Sequence, residues 1–203
     1  DLGLALGAGE VSLKELVYAF SVFPRDGKDY KNNQIYSQNT ARIINSILSD
    51  KNARSMGFGY TQTYETTYPS IFKTGTSNQY QNITALGATK DYTVGVWMGN
   101  FDGSTVVGKT GSSLPAYIAK NILDYLHQNN DTNLEFEEPI GWEKRKICSL
   151  SGMEEGINCP HSVYEYVKKD DKSLQECNWH RYSTKSKTVE TIYPAEYQKW
   201  VRQ

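Results

Sequence analysis

Two groups of residues in this 203-residue chain have types and spacing that can do chemistry. The first is Lys73-Thr74-Gly75-Thr76. A lysine and hydroxyls along one strand give a cationic, hydrogen-bonding wall for a substrate carboxylate. The glycine removes a side chain, so a substrate backbone can come close. If the strand lies at a sheet edge, an extended peptide can pair with it as an added strand. The bland alternative is a lysine in a turn followed by small polar residues. The second group is Cys148, Cys159, Cys177 and His180, in a Cys-x10-Cys-x17-Cys-x2-His layout. Three thiolates and an imidazole satisfy tetrahedral zinc. One disulfide with a free thiol left over, or three buried reduced cysteines, are the competing readings.

The elements around the first group follow from periodicity. Ser12-Leu13-Lys14-Glu15 has the form of a capping box, with Leu13, Leu16, Val17 and Phe20 at helical spacing behind it. Pro24 and Asp26-Gly27 end that run. Ser37 is a second N-cap, ahead of Ala41, Ile44, Ile47 and Leu48 on one face. From Ile71 the period changes to three short β-rich runs, Ile71 to Thr74, Ile83 to Thr89 and Tyr92 to Met98, with turn chemistry at Lys90-Asp91. A last helix starts near Pro115 and carries Ile118, Ile122, Leu123 and Leu126. Helices, three sequential strands, then a helix predict an α+β fold: an antiparallel sheet flanked by helices.

Charge divides the chain. Residues 1–135 carry 11 Lys/Arg and 12 Asp/Glu, whereas the 68 residues of 136–203 carry 11 and 11, nearly double the density. All three cysteines fall in that second part, and the polar run Gln128-Asn129-Asn130-Asp131-Thr132-Asn133 is a plausible linker. Two units follow: 1–133, and a small, loop-rich Cys/His-containing unit at 134–203. The net charge of −1 gives no broad basic face, so nucleic acid is not an expected partner. The longest apolar stretch, from Leu2 to Gly9, is far short of the roughly 20 residues a membrane helix needs. The chain begins at Asp1 without methionine and is read as a piece of something longer.

Beyond the tetrapeptide, the string from Leu2 to Ser12, the Ala19-Phe20 stretch, Phe72 to Ser77, Ala88 to Asn100 and Asp102-Gly103 occur in an order that resembles the C-terminal half of the transpeptidase domain of class A, bifunctional penicillin-binding proteins. Lys-Thr-Gly is one of that group's three motifs. Cys148-Ser149-Leu150-Ser151-Gly152, Cys159-Pro160, Cys177-Asn178-Trp179-His180-Arg181 and the stretch from Tyr193-Pro194 to Trp200 resemble the region after that domain in the PbpC-like branch.

The resemblance implies peptidoglycan D,D-transpeptidation outside the cytoplasmic membrane, in a parent that is also a glycosyltransferase held by an upstream membrane anchor. Its partners would be D-Ala-D-Ala stem peptides and β-lactams; no cofactor and no catalytic metal are expected, with the state of Cys148, Cys159, Cys177 and His180 left open. Carried over, Lys73 would be the third-motif cation that supports proton transfer and holds the substrate carboxylate. Thr74 and Thr76 would contact that carboxylate, Gly75 would give close approach, and the Thr76 N–H would donate to the oxyanion. The family's nucleophile lies in a helical Ser-x-x-Lys motif, with Ser-x-Asn further on. Ser70-Ile71-Phe72-Lys73 matches the first string but enters a strand, where positions i and i+3 face opposite ways. Ser37-Gln38-Asn39 matches the second but opens a helix, where capping suffices. The chain is therefore expected to be inactive by itself, with its nucleophile upstream. Asn82 stands where the family often has an acidic residue, and Asn82-Ile83-Thr84 and Asn130-Asp131-Thr132 are accidental glycosylation sequons. The competing reading is a non-catalytic cell-wall or partner-binding module with a vestigial Lys-Thr-Gly.

Overall fold

The computed structural model describes residues 2–7, 9–51, 53, 65–108, 110–128 and 135–201. Residues 129–133, part of the polar linker run, and with them the Asn130 sequon, lie outside the described residues. The chain divides into two compact units, Asp1–Pro139 and Ile140–Gln203.

In the first unit, helix α1 (Leu13–Phe20) begins where the capping box forms. The Glu15 N–H donates to Ser12 Oγ at 3.2 Å, and the Ser12 N–H donates to Glu15 Oε2 at 2.9 Å. Two orphan donors of the first turn are thereby satisfied. Helix α2 (Gln38–Ser49) is capped by Ser37, whose Oγ accepts from the Thr40 N–H at 3.1 Å. Strands β1 (Ile71–Thr76), β2 (Asn82–Ala88) and β3 (Thr93–Gly99) form an antiparallel sheet in the order β1-β2-β3. Helix α3 (Leu114–His127) has Pro115 in its first turn, where a missing N–H costs nothing.

The sheet is a middle layer. Cross-strand partners in an antiparallel pair share a face, so the register Lys73↔Leu86↔Gly95 separates the two sides. On one side Ile71, Leu86 and Ala88 pack with Phe20, and Leu16, Val17 and Leu48 close over them from α1 and α2. On the other, Phe72 and Ala85 pack with Tyr68 and with Ala116, Ala119 and Leu123 of α3. Ile71, Ala85, Ala88 and Leu123 have no exposed surface at all. Gly95 allows α1 to come close to the sheet, since a β-carbon there would lie 2.4 Å from Val17 Cγ2. His127, at the end of α3, stacks its ring on Tyr68 at 4.3 Å, and its Nε2 meets Thr89 Oγ1 at 3.0 Å.

The first unit runs on to Pro139 because its last residues are tied back. Lys90 pairs with Glu137 at 2.8 Å, Arg42 donates to the Glu138 carbonyl at 3.0 Å, and Phe136 packs against the α1–α2 side. The second unit holds two antiparallel hairpins, β4 (Trp142–Cys148) with β5 (Ser162–Lys168), and β6 (His180–Ser183) with β7 (Thr188–Thr191), then a single helical turn α4 (Gln198–Val201). Its described residues carry one buried branched aliphatic side chain, Ile147. Among the described residues no helix is long and apolar enough to cross a membrane.

Candidate functional site

Lys73-Thr74-Gly75-Thr76 forms the C-terminal two-thirds of β1, the edge strand. Ile71 and Phe72 are buried and anchor the strand between the helical layers, while Lys73, Gly75 and Thr76 are exposed. Anchoring at one end and exposure at the other is what a binding edge requires: the scaffold fixes the backbone, and the reactive positions stay open.

The ladder sets the direction of the backbone groups. The Ser77 N–H donates to the Asn82 carbonyl at 2.8 Å, continuing the register that pairs Gly75 with Thr84 and Lys73 with Leu86. Hydrogen-bonded and non-hydrogen-bonded pairs alternate in an antiparallel ladder. The amides of Lys73 and Gly75 therefore point at β2, and those of Thr74 and Thr76 point away from it. Among the described residues no strand pairs with that outer side. Lys73 Nζ donates to the outward Thr74 carbonyl at 2.6 Å, which holds the ammonium beside the edge.

A residue that sequence reasoning passed over completes this end of the strand. The Gly111 N–H donates to Thr76 Oγ1 at 3.1 Å. A β-carbon on Gly111 would lie 2.6 Å from the Gly75 carbonyl oxygen and 2.5 Å from that of Thr84, so only glycine fits. The signal was present, because Lys109-Thr110-Gly111-Ser112 is itself a Lys-Thr-Gly-Ser string. Its Thr110 to Ser113 part lies in a turn leading into α3, and Lys109 lies outside the described residues. With one lone pair taken by Gly111, the Thr76 hydroxyl keeps its proton for an acceptor elsewhere.

The two serine decoys have other occupations. Ser70 is buried and shares a 2.8 Å hydrogen bond with Thr66 Oγ1. Ser37 caps α2. Asn82, at the position where the family often has an acidic residue, accepts from Trp97 Nε1 at 3.0 Å.

In the second unit the Cys/His group converges. Cys148 ends β4, His180 opens β6, and the ligand atoms of Cys148, Cys159, Cys177 and His180 all lie within 4.8 Å of one another. All three cysteines are free thiols. Burial works against ionising Cys148, but the Ser151 hydroxyl, the Ser151 and Leu150 amides and Cys177 outweigh it and lower its pKa. Burial and the neighbouring thiols raise that of Cys159.

A sheet carrying Lys-Thr-Gly-Thr on its edge, with helices on both faces, is the α+β fold of the transpeptidase domain of penicillin-binding proteins. The crystal structure of penicillin-binding protein 1A from Haemophilus influenzae matches with a TM-score of 0.66 at 16% identity, over 84% of this chain and 34% of that one. In sequence, the chain is a relative of the class A penicillin-binding proteins. It is 31% identical to penicillin-binding protein 1C of Escherichia coli (strain K12) over 163 residues, which are 75% of this chain and 21% of that protein. It is 32% identical over 114 residues to penicillin-binding protein 1A of Clostridium tetani (strain Massachusetts / E88), or 53% of this chain and 14% of that protein. The chain thus spans about a fifth or less of these two relatives. No protein-family model matches it.

Proposed function

We propose that the first unit, expected from the sequence at 1–133 and extending to Pro139, is the distal part of a D,D-transpeptidase domain and the rest a small C-terminal unit, in a parent of the PbpC-like branch that is also a peptidoglycan glycosyltransferase. The observation that carries this reading is the outward edge at Thr74 and Thr76, with the Lys73 ammonium held beside it. The parent is membrane-anchored and works on the outer face of the cytoplasmic membrane.

In the reaction, a serine outside these residues attacks the carbonyl carbon of the penultimate D-alanine of a stem peptide. A tetrahedral oxyanion forms, the peptide C–N bond breaks, and the last D-alanine leaves with a proton on its amine. The acyl-enzyme is then attacked by an amine of a neighbouring stem peptide, which regenerates the serine. A β-lactam acylates the same serine, and its opened ring stays attached.

The residues of this chain bind and orient. Lys73 places a positive charge where the substrate carboxylate and the reacting hydroxyl meet, and supports proton transfer to the leaving amine. Thr76, its hydroxyl proton free, donates to the carboxylate, as does Thr74. The outward Thr76 N–H is one oxyanion donor. Gly75 leaves room for the peptide backbone as it pairs along the edge.

The test is Lys73→Ala in the full-length parent, with acylation by a fluorescent penicillin followed in time. A pre-placed donor of this kind is worth about 10²–10³ in rate, so acylation should slow on the order of a hundredfold while the fold is kept. Acylation within twofold of wild type would remove Lys73 from the mechanism and favour a binding module with a vestigial motif. The 203-residue chain alone should take no covalent label.

A further inference from the structure

We infer that the second unit is organised around a structural zinc ion held by Cys148, Cys159, Cys177 and His180, a tetrahedral Cys3His site independent of the acyl-transfer edge.

Distance is the first argument. His180 Nδ1 lies 3.7 Å from Cys148 Sγ, 3.6 Å from Cys159 Sγ and 3.4 Å from Cys177 Sγ. A tetrahedral ion with Zn–S of about 2.3 Å and Zn–N of about 2.0–2.1 Å sets each sulfur about 3.5–3.6 Å from the nitrogen. All three separations fall within about 0.2 Å of that value. Hydrogen bonding does not account for them, because an imidazole nitrogen has one lone pair and can accept from one thiol, not three. Three sulfurs each within 3.7 Å of one nitrogen, with all four donor atoms inside 4.8 Å of one another, make the donor set of a coordination shell.

Burial is the second. The buried residues of the second unit, among those described, are Ile147, Cys148, Gly156, Cys177 and His180. Three of these five belong to the Cys/His group, and neither hydrophobic cluster of the described residues includes a residue of this unit. Ile157, Tyr164 and Trp200 stand well exposed instead. A unit of this size without an apolar core needs a disulfide, a metal or another staple to fold. A disulfide uses two of the three sulfurs and strands the third; a tetrahedral ion uses all four donors. The ion also joins what the strands leave separate, since Cys148 closes the β4–β5 hairpin and His180 opens the β6–β7 hairpin.

The surroundings suit thiolates. The Gly156 N–H donates to Cys159 Sγ at 3.2 Å, and the Ser151 hydroxyl donates to Cys177 Sγ at 3.2 Å. Such donors stabilise metal-bound sulfur and fix its direction. A β-carbon on Gly156 would lie 2.7 Å from the Cys177 carbonyl oxygen, so the two ligand-bearing segments close on each other only with glycine there. On binding, the three thiols release their protons to solvent, and the shell carries a net charge of −1. Thiolates with one imidazole select zinc over oxygen-seeking cations.

The test uses the full 203-residue chain, purified without added reductant, metal or chelator and assayed for zinc by mass spectrometry. One zinc per chain is expected, with all three thiols slow to alkylate until a chelator removes it. Cobalt(II) added to the stripped chain should develop the intense visible absorption of a tetrahedral thiolate site. His180→Cys, which keeps four donors, should retain one metal, and His180→Ala should lose most of it; the cobalt spectrum of the wild-type chain decides the matter if either variant fails to fold. Two thiols recovered only with reductant would overturn the proposal in favour of a disulfide. Three freely alkylated thiols on a folded, zinc-free chain that develops no cobalt absorption would overturn it outright.

Discussion

Gly95 is the position at which one added carbon should be felt across the sheet. In Gly95→Ala the new methyl would sit 2.4 Å from Val17 Cγ2 and 3.1 Å from both Leu13 Cδ1 and Leu86 Cδ2. Carbon–carbon contacts are favourable at about 3.5–4.0 Å, so the Val17 contact alone overlaps by more than an ångström. Val17 cannot turn away cheaply, because a β-branched side chain in a helix has essentially one χ1 rotamer. Relief must come from moving α1, which packs directly on β3. Overpacking of this kind costs about 1–3 kcal/mol. With a urea m-value of about 2 kcal/mol/M, the midpoint should fall by roughly 1 M. The helical circular-dichroism signal is the proper readout, because the three long helices belong to the first unit, whereas Trp142, Trp179 and Trp200 of the second would dominate fluorescence. Val17→Ala removes the opposing methyl at a cost of its own, and the double variant should recover on the order of 1–2 kcal/mol relative to additivity. A Gly95→Ala midpoint within about 0.2 M of wild type, or strict additivity with Val17→Ala, refutes close packing of α1 on β3 at this point.

Two further outcomes test the electrostatics and the edge. The Arg42 hydrogen bond holds Asp26 below its ordinary carboxylate range, with burial opposing and the Arg42 charge reinforcing it, and the two side chains meet at 2.7 Å. A depressed folded-state value means the pair's stabilisation is present above the ordinary Asp range and is lost as pH falls through the depressed value. Acid unfolding of the first unit below about pH 4 should therefore be less steep in Asp26→Asn, and an unchanged profile would contradict the assignment. In the parent enzyme, Thr76→Val should lower the acylation rate by roughly 10–100-fold by removing a donor to a charged group, and Thr76→Ser should restore most of it; failure of serine to rescue would show that the hydroxyl is not the contacting group.

Local chemistry was legible without coordinates wherever the chain carries its own partner nearby. Ser12 and Glu15 are three residues apart, so their reciprocal cap is written in the sequence, as is the Ser37 cap of α2. The change from helical spacing to short β-rich runs at Ile71 gave the sheet, and three sequential strands between helices gave its antiparallel order. The Lys-Thr-Gly-Thr string identified the edge candidate because its residue types are rare together.

What required the tertiary structure were relations between residues far apart in the chain. Residue types alone do not distinguish Lys73-Thr74-Gly75-Thr76 from Lys109-Thr110-Gly111-Ser112; the first lies on the edge strand, and part of the second lies in the turn that donates a hydrogen bond to it. The outward direction of the Thr74 and Thr76 amides depends on the register with β2, which no residue of β1 encodes alone. The cysteines show the limit most clearly. A spacing of Cys-x10-Cys-x17-Cys-x2-His is compatible with a disulfide, a metal or neither, because spacing constrains only the length of chain between donors. Folding brings Cys148 to His180 across 32 positions and sets three sulfurs around one nitrogen. A coordination shell is a property of angles and distances in space, and only the folded backbone fixes those.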